Sequence, residues 1–194
     1  MKLIVGLGNP GSKYARTRHN AGVWWLERLA QKINAGWHDE TKFHGRIAKL
    51  TGDRWLLLPQ TYMNESGRAV AALAAFHKIA PGEILVAHDE LDLPPGGIKL
   101  KFGGGVAGHN GLKDIAAHLG SNDFWRLRLG IGHPRDQTAS EQEVVDYVLH
   151  PPRAEERTLI DGAIIRSLEV WPLITGDDME TAMLKLHTKE KKSE

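Results

Sequence analysis

Leu3-Ile4-Val5-Gly6-Leu7-Gly8-Asn9-Pro10-Gly11, followed a few residues later by Arg18-His19-Asn20, decides how this chain folds. An apolar run bounded by glycine reads as a central strand covered on both faces of a sheet. The loop after Leu7 then opens at the carboxyl end of that strand, the edge at which open α/β sheets bind ligands. A buried strand delivers a polar loop, and the loop delivers His19.

Gly6, Gly8 and Gly11 also satisfy G-x-G-x-x-G, which invites a dinucleotide reading. That fingerprint needs its last glycine to open a helix and an acidic residue about 20 positions on to hold a ribose. Helical periodicity starts only at Ala21, and the candidate second strand ends in Leu58-Pro59-Gln60, without a carboxylate. The glycines serve a turn, and no cofactor is expected.

Working outward, the periodicity predicts a helix over 21–33, a hairpin of strands 46–50 and 55–58 around Gly52-Asp53, and a helix over 68–77 capped by Ser66. Ile84-Leu85-Val86-Ala87 is a second buried strand and runs straight into His88-Asp89-Glu90-Leu91-Asp92. A Pro-Gly turn leads to strand 98–102, a glycine-rich loop over 103–108, a helix over 112–119 and strand 125–131. Ser140 and Glu143 form a capping box for a short helix to Leu149, and one long amphipathic helix is expected over 153–174, then another over 179–186. This alternation predicts an α/β fold: one three-layer domain over 1–188, its sheet mixed but mostly parallel and flanked by helices, with a solvated tail at 189–194.

Composition narrows the chemistry. The chain has 194 residues, enough for one domain with a real core, and 25% of them are charged against 41% hydrophobic. It contains no cysteine, which removes disulfides, thiolate metal sites and cysteine nucleophiles together. No apolar run approaches the roughly 20 residues that cross a bilayer, and the N-terminus lacks a signal-peptide layout, so a cytoplasmic protein without membrane attachment is expected. Net charge is only +1, so any nucleic-acid binding must come from a local patch.

The polar residues that this layout gathers at strand ends are Asn9, His19, Asn64, His88-Asp89-Glu90 and His109-Asn110. A carboxylate at a strand end with a histidine in a loop forms a base and its orienter. There is no nucleophile elbow, and Ser66 reads as a cap, so the attacking group is water. Histidine, with an ordinary pKa of about 6.5, can deprotonate water near neutrality, and nearby amides can stabilise an oxyanion. Those parts describe hydrolysis of an activated acyl bond, most simply an ester. A metal site is not expected, because His88 and Glu90 on an extended strand face away from Asp89.

At this point the residues carry a family resemblance. Gly6 to Gly11, Tyr14, Arg18-His19-Asn20-Ala21-Gly22, Tyr62-Met63-Asn64, Ala87-His88-Asp89-Glu90-Leu91-Asp92, Gly108-His109-Asn110-Gly111-Leu112 and Arg126-Leu127-Arg128 through His133-Pro134 closely resemble the bacterial peptidyl-tRNA hydrolase family. The resemblance implies a monomeric cytoplasmic enzyme, working without cofactor or metal, that cuts the ester joining a peptide to the terminal ribose of tRNA. It implies His19 as base and Asp89 as its orienting carboxylate. Asn9, Asn64 and Asn110, with Tyr14, Tyr62, Met63 and His109, would bind substrate, and Lys101 and Arg128 would grip a tRNA phosphate. The family more often has Phe where Tyr62 stands, and His-Gly or Ser-Ala where Val106-Ala107 stand.

The residues alone leave more open. They support ester hydrolysis, while tRNA rests on the resemblance and a scattered basic set of Lys13, Arg16, Arg18, Lys99, Lys101, Arg126 and Arg128. A non-catalytic RNA-binding module with the same fold and a nucleotide-dependent oxidoreductase remain as alternatives.

Overall fold

The structure, a computed structural model, describes residues 1–106, 108–134 and 140–187. The tail expected at 189–194 and Ala107 lie outside the described residues. Seven strands form one sheet: β1 Leu3–Gly6, β2 His38–Glu40, β3 Gly45–Leu50, β4 Arg54–Pro59, β5 Ile84–Glu90, β6 Ile98–Phe102 and β7 Trp125–Gly130. Their order across the sheet is β2-β3-β4-β1-β5-β7-β6. The apolar run that opens the chain is the middle strand. Parallel pairings join β4, β1, β5 and β7, whereas β3 and β6 run against their neighbours. The sheet is therefore mixed, as expected, with a parallel centre of four strands and antiparallel pairings at both margins.

Helices cover both faces. α1 Ala21–Lys32, α5 Ala154–Leu168, α6 Trp171–Thr175 and α7 Met179–His187 share a core with Ile4, Leu85 and Leu127, while α2 Ser66–Phe76 and α3 Asn110–Leu119 pack on Leu3, Val5 and Val86. Adjacent residues of one strand thus enter opposite cores, the period-2 signature of a strand buried on both sides. α1 comes unusually close: a Cβ at Gly22 would lie 2.2 Å from the Ala87 carbonyl oxygen and 2.7 Å from the Leu7 nitrogen. Only glycine lets the helix start against the ends of β1 and β5.

Three expectations need correction. Ser66 is the first residue of α2 and not its cap, because a 3₁₀ turn over Met63–Glu65 leads directly into the helix and the buried Ser66 hydroxyl donates to the Met63 carbonyl. The long helix expected over 153–174 is two helices, since Pro172 has no N–H and its ring opposes the carbonyl of Leu168, four residues earlier. That freed carbonyl accepts from Lys32 Nζ at 3.3 Å. β2 was not expected: three polar, largely exposed residues carry no periodic signal. The capping box of α4 Glu141–Val148 is present as read, with Ser140 and Glu143 bonding each other's backbone.

Candidate active site

The carboxyl ends of β1, β4 and β5 meet at one edge of the sheet, where the strand order turns back around β1. There a cleft of about 710 Å³ opens, lined by Asn9, His19, Tyr62, Met63, Asn64, Asp89, His109 and Asn110 among others, and walled by Val144, Val145 and Val148 of α4.

His19 sits in a 3₁₀ turn, Arg18–Asn20, whose three side chains leave in different directions. Arg18 is buried: it pairs with Glu156 at 2.7 Å, donates to the carbonyls of Tyr147, His150 and Pro151, and lies over the Tyr147 ring. It belongs to the scaffold that joins this turn to α4 and α5, not to a nucleic-acid patch. Asn20 locks the β1 loop, its Oδ1 accepting from the Asn9 N–H at 2.9 Å and its Nδ2 donating to the Asn9 carbonyl at 3.0 Å. His19, held between these anchors, places Nδ1 2.9 and 3.0 Å from the two carboxylate oxygens of Asp89.

Asp89 carries a second imidazole. His109 Nε2 lies 2.9 Å from Asp89 Oδ1, while His109 Nδ1 accepts the Leu112 N–H at the start of α3. That acceptor role leaves the proton on Nε2, so His109 donates to the carboxylate. Burial alone would raise the Asp89 carboxyl, but the two imidazoles hold it well below the usual carboxylate range. For His19, burial disfavours the charged ring, yet the charge and hydrogen bond of Asp89 outweigh it and raise the pKa above 6.5. His88 turns to the opposite face of β5, where its Nδ1 donates to the Asp89 carbonyl at 2.7 Å. Burial, with His109 alongside, pushes His88 down to about 3, so its ring is neutral near pH 7.

Asn9 is also fixed in orientation. Its Oδ1 accepts the Met63 N–H at 2.7 Å, so its NH₂ is what it can offer the cleft. Among the described residues, one group brings three potential metal-ligand side chains together, His19, Asp89 and His109, with ligand atoms within 4.8 Å of one another. Each imidazole already points a nitrogen at the carboxylate at hydrogen-bond distance, so the group is explained as a hydrogen-bonded bridge.

These parts set an imidazole held by a buried carboxylate, with an asparagine amide nearby, at a cavity large enough for an acyl group. A family model described as peptidyl-tRNA hydrolase matches residues 3–194. The chain belongs to the peptidyl-tRNA hydrolase family. It is 60% identical over 193 residues to a peptidyl-tRNA hydrolase of Nitrosospira multiformis, covering 98% of this chain and 99% of that one. A peptidyl-tRNA hydrolase of Thiobacillus denitrificans is 59% identical, with 97% and 91% covered. The crystal structure of peptidyl-tRNA hydrolase from Acinetobacter baumannii superposes with a TM-score of 0.92 at 46% identity, over 97% of this chain and 95% of that one.

In this member of the peptidyl-tRNA hydrolase family, not every expected residue reaches the cleft. Tyr14 stands outside the lining, edge-on to Tyr62 with ring centroids 6.4 Å apart. Lys101 and Arg128 lie beside the cleft on the sheet face that carries His88. β6 runs antiparallel to β7, so register and not strand direction brings them together: Lys101 is opposite Arg126, one diagonal step from Arg128. Arg128 Nε is 2.8 Å from Glu90 Oε2. Of the wider basic set, Arg126 also lines the cleft, but it is 4% exposed and its two terminal nitrogens bond backbone carbonyls. Sequence reasoning missed Asn20 and Arg18 as supports of the site. Both stand beside His19, and that adjacency was the available signal.

Proposed function

We propose that the protein hydrolyses peptidyl-tRNA, cutting the ester between the peptide and the 3′-terminal ribose, with water as the attacking group and His19 as its base. The observation that carries this reading is the commitment of His19 Nδ1 to both oxygens of Asp89, which leaves Nε2 for a water in an amide-lined cleft. His19 takes a proton as the water oxygen bonds the acyl carbon. The oxyanion is stabilised by amide donors from Asn9, Asn64 or Asn110, and its collapse breaks the bond to the ribose oxygen, which receives the proton from His19. Asp89 stabilises the imidazolium in between. Tyr62 and Met63 form the apolar side for the peptide, and Lys101 and Arg128 grip a backbone phosphate of the tRNA. Every part of this step comes from the chain's own side chains. The reading is of a cytoplasmic monomer.

Timing the release of free tRNA from N-acetyl-aminoacyl-tRNA, with no cofactor added, tests it. Turnover is expected. Binding without release would contradict hydrolysis and leave a non-catalytic RNA-binding module.

A further inference from the structure

Arg126 is a cation buried beside a proposed phosphate site, yet it faces no carboxylate at bonding distance among its described partners. Its guanidinium donates to the Gly105 carbonyl at 2.8 Å and also to the Gly103 carbonyl. Both acceptors belong to the glycine-rich loop that leads from β6 to His109. Gly103 and Gly104 hold φ of 57 and 83°, and a Cβ on Gly104 would sit 3.3 Å from Lys101 Nζ and 3.5 Å from Arg126 Nη2. The loop has no side chain of its own at these positions and lies directly on the two cations. At its far end the His109 N–H bonds the Val106 carbonyl at 3.1 Å, and the His109 ring bonds Asp89. One guanidinium therefore fixes the start of a loop whose end holds the orienting carboxylate, and it does so next to Lys101.

We propose that Arg126 is a positioning residue that couples the tRNA-phosphate grip to the catalytic bridge: it holds the 103–105 backbone so that Lys101 stands at the edge of the cleft and His109 is delivered onto Asp89. This rests on the roles given above to Lys101, His109 and Asp89. A planar fork is needed because two carbonyls must be held at once, and lysine keeps the charge without that fork. Arg126 reaches the cleft wall, but its terminal nitrogens are committed to the loop carbonyls, so in this reading its loss shows on both functions together. Lys101 and Arg128, by contrast, act only on substrates that carry the tRNA body.

The test compares wild type, Arg126→Lys and the Lys101→Ala/Arg128→Ala pair on full-length N-acetyl-aminoacyl-tRNA and on a minimal peptidyl-nucleotide ester without the tRNA body. Arg126→Lys is expected to lower kcat about tenfold on both substrates and to raise KM for the full-length one, since a small misplacement of a catalytic loop has that cost. Amide exchange at His109 should accelerate while that of Leu127 and Leu129 in β7 stays unchanged, a split that a general loss of stability does not produce. In Arg126→Ala, added guanidinium should restore part of kcat on the minimal ester. A loss confined to KM on full-length substrate would make Arg126 a phosphate ligand and overturn the proposal. So would kinetics within twofold of wild type on both substrates, or exchange that speeds equally throughout β7. Failure of the wild type to cleave the minimal ester would instead count against the site reading on which the inference rests.

Discussion

Asp89 is the residue on which the site turns, since it receives His19 on one side and His109 on the other. The base role proposed for His19 needs its deprotonated form, and its pKa is raised, so activity should fall as pH drops through a value above 6.5. Asp89→Asn removes the charge that favours the imidazolium; the His19 pKa then falls and the acid limb of kcat/KM against pH moves to lower pH, with a large loss of rate from the wrong hydrogen-bonding partner. A variant with wild-type rate and profile would make Asp89 structural. The residues alone placed several histidines and a carboxylate at strand ends, and it was the family resemblance that singled out His19 with Asp89, which the structure brings together. The bond from His109 to Asp89 was legible in neither. It is closed by a glycine loop with no periodicity, and the resemblance gave His109 and Asn110 substrate-binding roles with no link to Asp89. Ser66 misled for a similar reason: serine ahead of an alanine-rich run is a cap signal, and nothing local announces the 3₁₀ turn that places it inside the helix.

Among elements, the turn Arg18–Asn20 depends on α4 and α5 for its position. Arg18 is buried and Glu156 half-buried, with side chains 7 and 14% exposed; without Arg18, Glu156 keeps its bonds to Arg153, while the carbonyls of Tyr147, His150 and Pro151 lose their donor. Arg18→Met should cost about 1–3 kcal/mol in denaturant unfolding and also lower kcat, as His19 is the next residue. A change below about 1 kcal/mol would show that the pair is screened like a surface bridge. Gly22→Ala tests the close approach of α1: the added methyl meets the Ala87 carbonyl and the Leu7 backbone, so about 1–3 kcal/mol of stability should be lost, with activity reduced through the neighbouring Asn9 loop. Unchanged stability would mean that α1 can retreat freely. The central strands and most helices were readable because each pairs strong periodicity with a clear stop. The break at Pro172 was present in the sequence as well. An apolar stripe continuous across it carried the expectation past a residue that cannot remain inside a helix.

Across the whole molecule, the basic sheet face adjoins the cleft and meets it at Arg126, so the proposed phosphate grip by Lys101 and Arg128 can be tested apart from the chemistry. Lys101→Ala with Arg128→Ala should raise KM for full-length peptidyl-tRNA and flatten its salt dependence, each lost phosphate contact removing roughly 0.9 from the slope of log affinity against log salt for duplex contacts. The minimal ester should be cleaved as by wild type. Equal losses on both substrates would mean that these cations support the fold. A net charge of +1 hides this face, because the cations of β6 and β7 are balanced elsewhere on the surface, and only the register of two antiparallel strands shows that they share a side. The most direct test is of the base itself. In single-turnover reactions on N-acetyl-aminoacyl-tRNA, His19→Ala should lose about 10²- to 10⁴-fold in the rate of tRNA release while binding tRNA within about threefold of wild type. A His19→Ala protein that releases tRNA within about threefold of the wild-type rate would contradict general-base activation of water by His19.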